Sequence, residues 1–369
     1  MFDVWFWQLI VSPHMAHLAE ELARLDCKVT YVAERAMSTE RADQGWMPPE
    51  LSGVRLEYAD SDEAVRRLVE SASSHSIHIC QGIRANRRVS LAQNLLATRG
   101  LRQWVIMETV EDSGWRGVIK RFEYSRLFRA RRNTLQGLLA TGHRMAEWVA
   151  ARGMLTDKVY PFAYFLSSQS GSVTDGYRKP GPFRFVFVGQ LISRKRVDWL
   201  VNSLAGLTEH AFELCIVGSG AEEPALRMLA ESRLGDRVRW FGTLPLSEVS
   251  AVISQTDCLV LPSVHDGWGA VVSEALMVGT PVICSDACGT AGVVQASGFG
   301  GVFACDNGDE LQVMLEEQLQ FGPVNKENRV RLASWAASLG AEEGAKYLMN
   351  IINFSVNGGA RPLPPWQKR

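Results

Sequence analysis

The sequence predicts an α/β protein built from two doubly wound parallel sheets, one in each half of the chain. Strand-like apolar runs alternate with helix-like stretches throughout, which is typical of parallel sheets covered by helices. At 369 residues the chain is long enough for two domains. A polar stretch at 167–182, rich in Ser, Gly and Pro, has the composition of a linker between them.

The first half, residues 1–166, predicts one Rossmann-like domain. The chain start is apolar but lacks a basic region, so we expect it to form a first strand and not a signal peptide. Strands are expected at Val4–Val11, Lys28–Ala33, Ile77–Gln81, Gln103–Glu108, Gly137–Ala140 and Val159–Pro161, and helices at Met15–Leu25, Asp62–Ala72 and Met145–Arg152.

The second half, residues 183–340, predicts another such domain, with an apolar helix spacing over Val197–Leu207. In sheets of this kind, ligands bind beyond the carboxyl ends of the strands, and we expect a cleft between the two domains. The predicted strands are Phe183–Val188, Phe212–Val217, Val238–Phe241, Cys258–Leu261 and Pro281–Cys284.

Composition excludes several classes of function. A net charge of −1 argues against general nucleic-acid binding, and no apolar run reaches the length of a membrane span. The seven cysteines are scattered, several within predicted strands, which suits reduced core thiols in a cytosolic protein. Cys284 and Cys288 lack a second Cys or His pair at metal-binding spacing. An Asp60–Asp62 pair starts a helical stretch and is interpreted as a helix cap, so we predict no metal.

One glycine-rich turn carries the main chemical signal. The predicted strand Asp257–Pro262 leads to Asp266, Gly267, Trp268 and Gly269, and a helix then places Glu274 eight positions after Asp266. Glycines let the backbone approach a ligand closely, and the helix start presents unpaired N–H groups at the positive end of its dipole. This is a favourable place for a diphosphate, and the two carboxylates can bind sugar hydroxyls.

This motif, with its continuation EALMVGTPVICSDACG, resembles the donor site of retaining glycosyltransferase family four, which has the GT-B fold of two Rossmann-like domains facing a cleft. The family has Glu where Asp266 stands, and commonly Phe where Trp268 stands. The resemblance is strong over 183–305 and weak over the N-terminal half. It implies an acceptor-binding domain at 1–166, a nucleotide-sugar domain at 183–340, and a final segment, 341–369, whose helix crosses back to the first domain.

The resemblance also implies roles for single residues. In the turn GQLISRKR, Lys195 and Arg194 would hold the diphosphate and act in catalysis, while Gln190 and Arg196 replace a family Arg and Gly. Asp266 would contact the donor sugar and Glu274 the ribose. The remaining donor contacts would come from Gly189, Gln190, Gly218, Gly220, Trp240, and the backbone N–H groups of Gly267, Trp268, Gly269, Ala270 and Val271.

Each of these residues also has a purely structural interpretation. The glycines are compatible with tight turns, Trp240 with core packing, and Asp266 with a turn or N-cap role. In the N-terminal half, His14 follows the first strand and is a candidate catalytic contact or a structural residue, and Glu108 or Glu111 is a candidate for acceptor binding.

A basic amphipathic segment, Arg116–Arg132, carries seven cations and one acid among apolar residues. It fits either a solvated helix face or an anionic membrane surface. The family resemblance favours the membrane, and predicts peripheral attachment to the inner face of the cell membrane.

Together these observations predict a metal-independent retaining glycosyltransferase, moving a hexosyl or N-acetylhexosaminyl group from a nucleoside-diphosphate sugar. The expected acceptor is a glycan or a polyprenyl-diphosphate-linked glycan, as in lipopolysaccharide, O-antigen, capsule or exopolysaccharide assembly. Two alternatives stay open: a sugar-nucleotide epimerase of the same fold, and a non-catalytic nucleotide-sugar-binding subunit.

Overall fold

A computed structural model describes residues 1–38, 48–84, 86–167 and 181–367. The described residues divide into two units. Unit 1 comprises Met1–Ser167 with Leu339–Lys368, and unit 2 comprises Ser168–Ser338. The predicted linker, 167–182, lies almost entirely outside the described residues.

Unit 1 is built on a seven-stranded parallel sheet with the strand order β3-β2-β1-β4-β5-β6-β7. The order reverses direction at β1, so the loops after β1 and β4 diverge to opposite sides and leave a crevice at the carboxyl edge. The strands are β1 Asp3–Ile10, β2 Lys28–Arg35, β3 Arg55–Tyr58, β4 Ile77–Gln81, β5 Arg102–Glu108, β6 Leu135–Thr141 and β7 Val159–Phe162. The helices are α1 Pro13–Arg24, α2 Asp62–Ser71, α3 Arg87–Thr98, α4 Gly114–Arg131 and α5 Met145–Ala150.

Unit 2 is built on a six-stranded parallel sheet with the order β10-β9-β8-β11-β12-β13. Its strands are β8 Phe183–Val188, β9 Phe212–Val217, β10 Val238–Gly242, β11 Cys258–Leu261, β12 Val282–Ser285 and β13 Gly300–Phe303. Its helices are α6 Val197–Ala205, α7 Glu223–Leu234, α8 Leu246–Ser254, α9 Ala270–Met277, α10 Ala291–Ser297, α11 Gly308–Phe321 and α12 Lys326–Ala336.

The last helix, α13 (Ala341–Asn357), belongs to unit 1 and packs against α1. The phenol of Tyr347 donates a hydrogen bond to the Pro161 carbonyl at 3.0 Å. A Cβ on Gly344 would lie 2.2 Å from Cγ of Phe165, so this glycine lets the helix approach the aromatic ring. The chain therefore closes unit 1 with its own C-terminal segment.

The predicted fold class, two parallel α/β sheets, is confirmed, and the elements missed are those with weak patterns. β3 reads RLEY and lies at the sheet edge with mostly exposed side chains, so it lacks an apolar signal. β13 reads GGVF, and its two glycines leave only two apolar side chains to indicate a strand. The Asp60–Asp62 interpretation needs correction, because the side chain that caps α2 is Ser61, which accepts from the Ala64 N–H at 3.1 Å.

The helices of the described residues were also searched for membrane spans, and none combines the length and apolarity needed to cross a bilayer.

Candidate functional site

Lys195 lies in the turn between β8 and α6, in a single 3-10 turn, Ser193–Lys195. Lys195 is 9% exposed. Its side chain lies next to Gly189, since a Cβ added to that glycine would be 3.9 Å from Lys195 Cε. The ammonium forms an ion pair with the Asp266 carboxylate. A lysine this buried requires such a partner, because an isolated charge is costly to remove from water.

Arg196 stands where the family pattern has glycine, and its contacts show how an arginine fits there. Its φ of 50° lies in the left-handed region that favours glycine, the residue that the family resemblance predicts there. The guanidinium donates two hydrogen bonds to Asp198, both at 3.0 Å, and lies 3.9 Å over the Trp199 ring. These contacts offset the backbone cost of about 1–3 kcal/mol. Arg196 is thus anchored at the start of α6.

The turn that contains Lys195 is joined to the turn that contains Asp266 by three contacts. The Val264 N–H donates to the Arg194 carbonyl at 2.9 Å, and the Arg194 guanidinium donates to the His265 carbonyl at 2.8 Å. The Lys195–Asp266 ion pair is the third. Residues 71 positions apart in the chain therefore form one surface. Part of the Arg194 guanidinium, predicted to hold a diphosphate, is engaged in building that surface.

The backbone of Asp266 is held by the loop after β12. Its N–H donates to the Ala287 carbonyl at 3.2 Å, and its carbonyl accepts from the Gly289 N–H at 3.0 Å. A Cβ on Gly289 would lie 2.1 Å from the Gly267 carbonyl oxygen, so the two segments touch backbone to backbone. This contact fixes the direction of the Asp266 side chain.

Helix α9 begins immediately after this turn. Gly269 is its N-cap, at a φ of 83°, and among the described residues no side chain caps the helix. The first turn of α9 also contains no acidic residue. The N–H groups of Ala270 and Val271 therefore face outward at the positive end of the helix dipole, which is a suitable place for a phosphate.

The Trp268 side chain belongs to the core of this turn. It is 3% exposed and its indole N–H donates to the Ser273 hydroxyl at 3.2 Å. Only its backbone is available for the predicted ligand contact. The ring fixes the shape of the turn on which the α9 N-terminus depends.

Glu274 lies one turn into α9. Burial raises the pKa of its carboxyl to about 7 from an ordinary value near 4.5. Among the described residues, its carboxylate has neither a hydrogen-bond nor an ion-pair partner. A half-buried acid without a partner beside an open helix N-terminus is typical of a ligand-binding group.

Gly218 and Gly220 have a structural role that the sequence interpretation left open. A Cβ on Gly218 would lie 1.9 Å from the Gly189 carbonyl oxygen, and one on Gly220 would lie 2.4 Å from the Leu191 carbonyl oxygen. The Leu191 N–H also donates to the Ser219 carbonyl at 2.8 Å. The two turns thus pack backbone to backbone, which places Gln190 between them. Trp240 lies on the neighbouring edge strand with Arg227 4.5 Å over its ring.

Unit 1 contains a separate cavity of about 530 Å³ at the carboxyl ends of β1, β4 and β5. His14 lines it and stacks on Tyr164, with ring centroids 5.3 Å apart. The Tyr164 phenol donates to the Glu108 carboxylate, which also lines the cavity. Glu111, in contrast, interacts with Ser113 and Lys120 at the start of α4. Of the two candidate acids, the structure places Glu108 in the cavity.

Gln8 is a cavity residue that sequence reasoning missed. It is 4% exposed, and its amide nitrogen has no hydrogen-bond partner among the described residues. A buried donor without a partner is rare in folded proteins, which makes Gln8 a candidate polar residue of this cavity. The signal was present in the sequence, because Gln8 is a polar residue inside the apolar strand DVWFWQLI.

Comparison with known proteins gives a family match for part of the chain and a fold match for nearly all of it. Residues 175–334 match the model of the family described as glycosyl transferases group 1. The 2-deoxystreptamine glucosyltransferase of Streptomyces kanamyceticus is 34% identical over 117 residues, 30% of each chain. Among solved structures, Anabaena HepE in complex with UDP has a TM-score of 0.73 at 12% identity, covering 95% of this chain and all of that one. The apo lipopolysaccharide outer core galactosyltransferase WaaB has a TM-score of 0.68 at 16% identity, covering 96% and 99%.

Residues 175–334 thus match the group 1 glycosyl transferases, and the chain has the GT-B fold. The predicted family resemblance and the GT-B fold are both confirmed. The chain spans about 30% of the first curated relative's length, and the family match falls on unit 2.

The GT-B protein brings together Lys195, Asp266, the α9 N-terminus and Glu274 within unit 2. Gly189 and Gln190 precede Lys195 in the same turn, and Gly218 and Gly220 pack against that turn. His14 belongs to the cavity of unit 1. The ligand roles of these residues remain predictions.

Proposed function

We propose that this protein transfers a sugar from a nucleoside-diphosphate sugar to a hydroxyl of a glycan or lipid-linked glycan, with retention of anomeric configuration. One observation carries the proposal: unit 2 places Lys195 and Asp266 beside the uncapped N-terminus of α9, with Glu274 one turn further along. A diphosphate would contact Lys195 and the Ala270 and Val271 N–H groups, and the ribose hydroxyls would donate to Glu274.

The proposed chemistry is electrostatic. As the bond between the anomeric carbon and the diphosphate oxygen breaks, negative charge grows on that oxygen, where the Lys195 ammonium and the α9 N–H groups stabilise it. The acceptor hydroxyl attacks the same face of the sugar, and its proton passes to a phosphate oxygen of the departing diphosphate. We propose no metal, because these groups supply the positive charge that a cation would otherwise supply.

The unit 1 cavity is our proposed acceptor site. Its volume of about 530 Å³ suits one or two sugar rings. The stacked His14 and Tyr164 rings offer an aromatic surface, while Gln8 and Glu108 add polar groups to its lining. In this proposal His14 contacts the acceptor. The donor sugar, whether a hexose or an N-acetylhexosamine, is left for experiment to define.

Helix α4 is our proposed membrane contact. Trp115, Val118, Ile119 and Phe122 are 70, 56, 50 and 73% exposed and follow the i, i+3, i+4, i+7 spacing of one helix face. The opposite face packs on the sheet through the fully buried Phe128. Exposed cations, Arg116, Arg126, Arg129 and Arg132, lie along the same segment. An apolar face flanked by cations fits the interface of an anionic bilayer.

Vesicle sedimentation tests the membrane proposal. Wild-type protein should sediment with vesicles containing phosphatidylglycerol and much less with pure phosphatidylcholine. Trp115→Ser with Phe122→Ser should lose most of that binding, whereas Phe321→Ser, which removes an 85% exposed aromatic from α11 in unit 2, should retain it. Equal sedimentation of all three proteins would contradict the proposal.

A product assay tests the transfer proposal and its alternatives. The protein is incubated with UDP-, GDP-, ADP- and dTDP-sugars, each with and without an oligosaccharide acceptor or a polyprenyl-diphosphate-linked sugar. Transfer predicts a new glycoside only when acceptor is present. Conversion of a donor without acceptor would indicate an epimerase instead, and tight donor binding without any product would indicate a binding subunit.

A further inference from the structure

The Lys195–Asp266 ion pair assigns Asp266 a different role from the sugar contact that its place in the motif predicts. The two side chains are 11% and 14% exposed, and they form an ion pair. Asp266 is held in this direction by the Ala287 and Gly289 backbone contacts, and Lys195 by the joined turns. The pair is thus built into the surface from both sides.

We propose that Asp266 is a positioning residue that acts through Lys195: it is the counter-ion that holds this lysine in place, and by sharing the ammonium it weakens the hold of Lys195 on a diphosphate. This inference rests on the proposed function. A desolvated ammonium needs a negative partner before the donor arrives. Once the diphosphate is bound, the same carboxylate competes with it for the Lys195 ammonium.

The proposal has a consequence for turnover. An ammonium has three N–H donors, so Lys195 can bind a diphosphate oxygen while still contacting Asp266. Because Asp266 shares this ammonium, the Lys195–diphosphate contact is weaker, which raises the free energy of the bound nucleoside diphosphate after the sugar has left. Asp266 therefore favours product release, and its removal should trap the product.

Calorimetric binding of nucleoside diphosphates without sugar separates the two roles of Asp266. UDP, GDP, ADP and dTDP are titrated into wild-type protein, and the tightest binder is kept as the probe. Asp266→Asn should bind this probe about tenfold more tightly, because the Lys195 ammonium is then no longer shared with a carboxylate. In a Lys195→Met background, Asp266→Asn should change the affinity by less than twofold, since its effect acts through the lysine.

Asp198→Asn is the matched control, since it removes one carboxylate from the neighbouring ion pair with Arg196. It should leave the probe's affinity unchanged. Thermal unfolding checks that each variant is folded, and Asp266→Glu, which keeps the charge, should bind the probe like wild type. Unchanged or weaker probe binding in Asp266→Asn, or an effect that persists in the Lys195→Met background, would overturn the counter-ion role. Failure of all four nucleotides to bind wild-type protein would overturn the proposed function itself.

Discussion

Among single residues, Lys195 is expected to contribute most to catalysis. Its ammonium is buried, directed by Asp266, and next to the uncapped start of α9. Lys195→Ala should lower kcat/KM for sugar transfer by about 10²–10³-fold, the cost of removing one preorganised donor from a developing charge. Steady-state assays of donor consumption measure this effect.

The matched control is Lys326→Ala, which removes an exposed lysine at the start of α12. It should retain wild-type kcat/KM. Wild-type turnover by Lys195→Ala would exclude this lysine from the site.

Glu274 should make the stability of the folded protein depend on pH. Burial raises the pKa of its carboxyl from 4.5 to about 7, so below about pH 4.5 the carboxyl is neutral in both the folded and the unfolded protein. As pH rises through 7 the carboxyl ionises more readily in the unfolded protein, and the folded protein loses stability. For the unliganded protein the loss should be of the order of 2–3 kcal/mol. Glu274→Gln removes it. Urea unfolding at pH 5 and pH 8 should therefore show a smaller fall for Glu274→Gln than for wild type, and parallel falls would show that Glu274 does not titrate in this range.

At the scale of elements, the site depends on turns that approach each other too closely for side chains. Gly218 has a φ of 129°, and its Cβ position lies 1.9 Å from the Gly189 carbonyl oxygen. Gly218→Ala should therefore lower the free energy of unfolding by more than about 3 kcal/mol. Thermal unfolding midpoints measure the difference.

Gly235→Ala is the control that distinguishes the cost of a positive φ from the cost of a steric clash between the added Cβ and a neighbouring turn. Gly235 also has a positive φ, 60°, but has nothing within 4 Å of its Cβ position. Its replacement should cost only about 1 kcal/mol. Equal losses in the two variants would mean that φ alone, and not the contact between the turns, makes Gly218 necessary.

For helix α4, the sequence predicted an amphipathic helical segment but not which of its residues are buried and which are exposed. The mixed charged and apolar pattern of Arg116–Arg132 predicted an amphipathic segment. The structure divides its apolar residues, burying Phe128 while leaving Val118, Ile119 and Phe122 exposed. That division depends on which face meets the sheet, which periodicity alone does not determine.

For the whole molecule, the sequence was sufficient to predict two parallel sheets because most strands are buried apolar runs bounded by turns. Edge strand β3 was not predicted, because its mostly exposed residues form no apolar run. The order of strands and the pairing of Lys195 with Asp266, 71 residues apart, arise from tertiary contacts. The motif spacing indicated the α9 turn, whereas the cavity around Gln8 and Tyr164 required the folded sheet.

The most direct test of the central claim is a crystal structure of the protein with the nucleoside diphosphate that binds it most tightly. The account predicts diphosphate oxygens within hydrogen-bond distance of Lys195 Nζ and of the Ala270 and Val271 N–H groups, with ribose hydroxyls on Glu274. A nucleotide bound elsewhere in the molecule, with these groups unliganded, would contradict it.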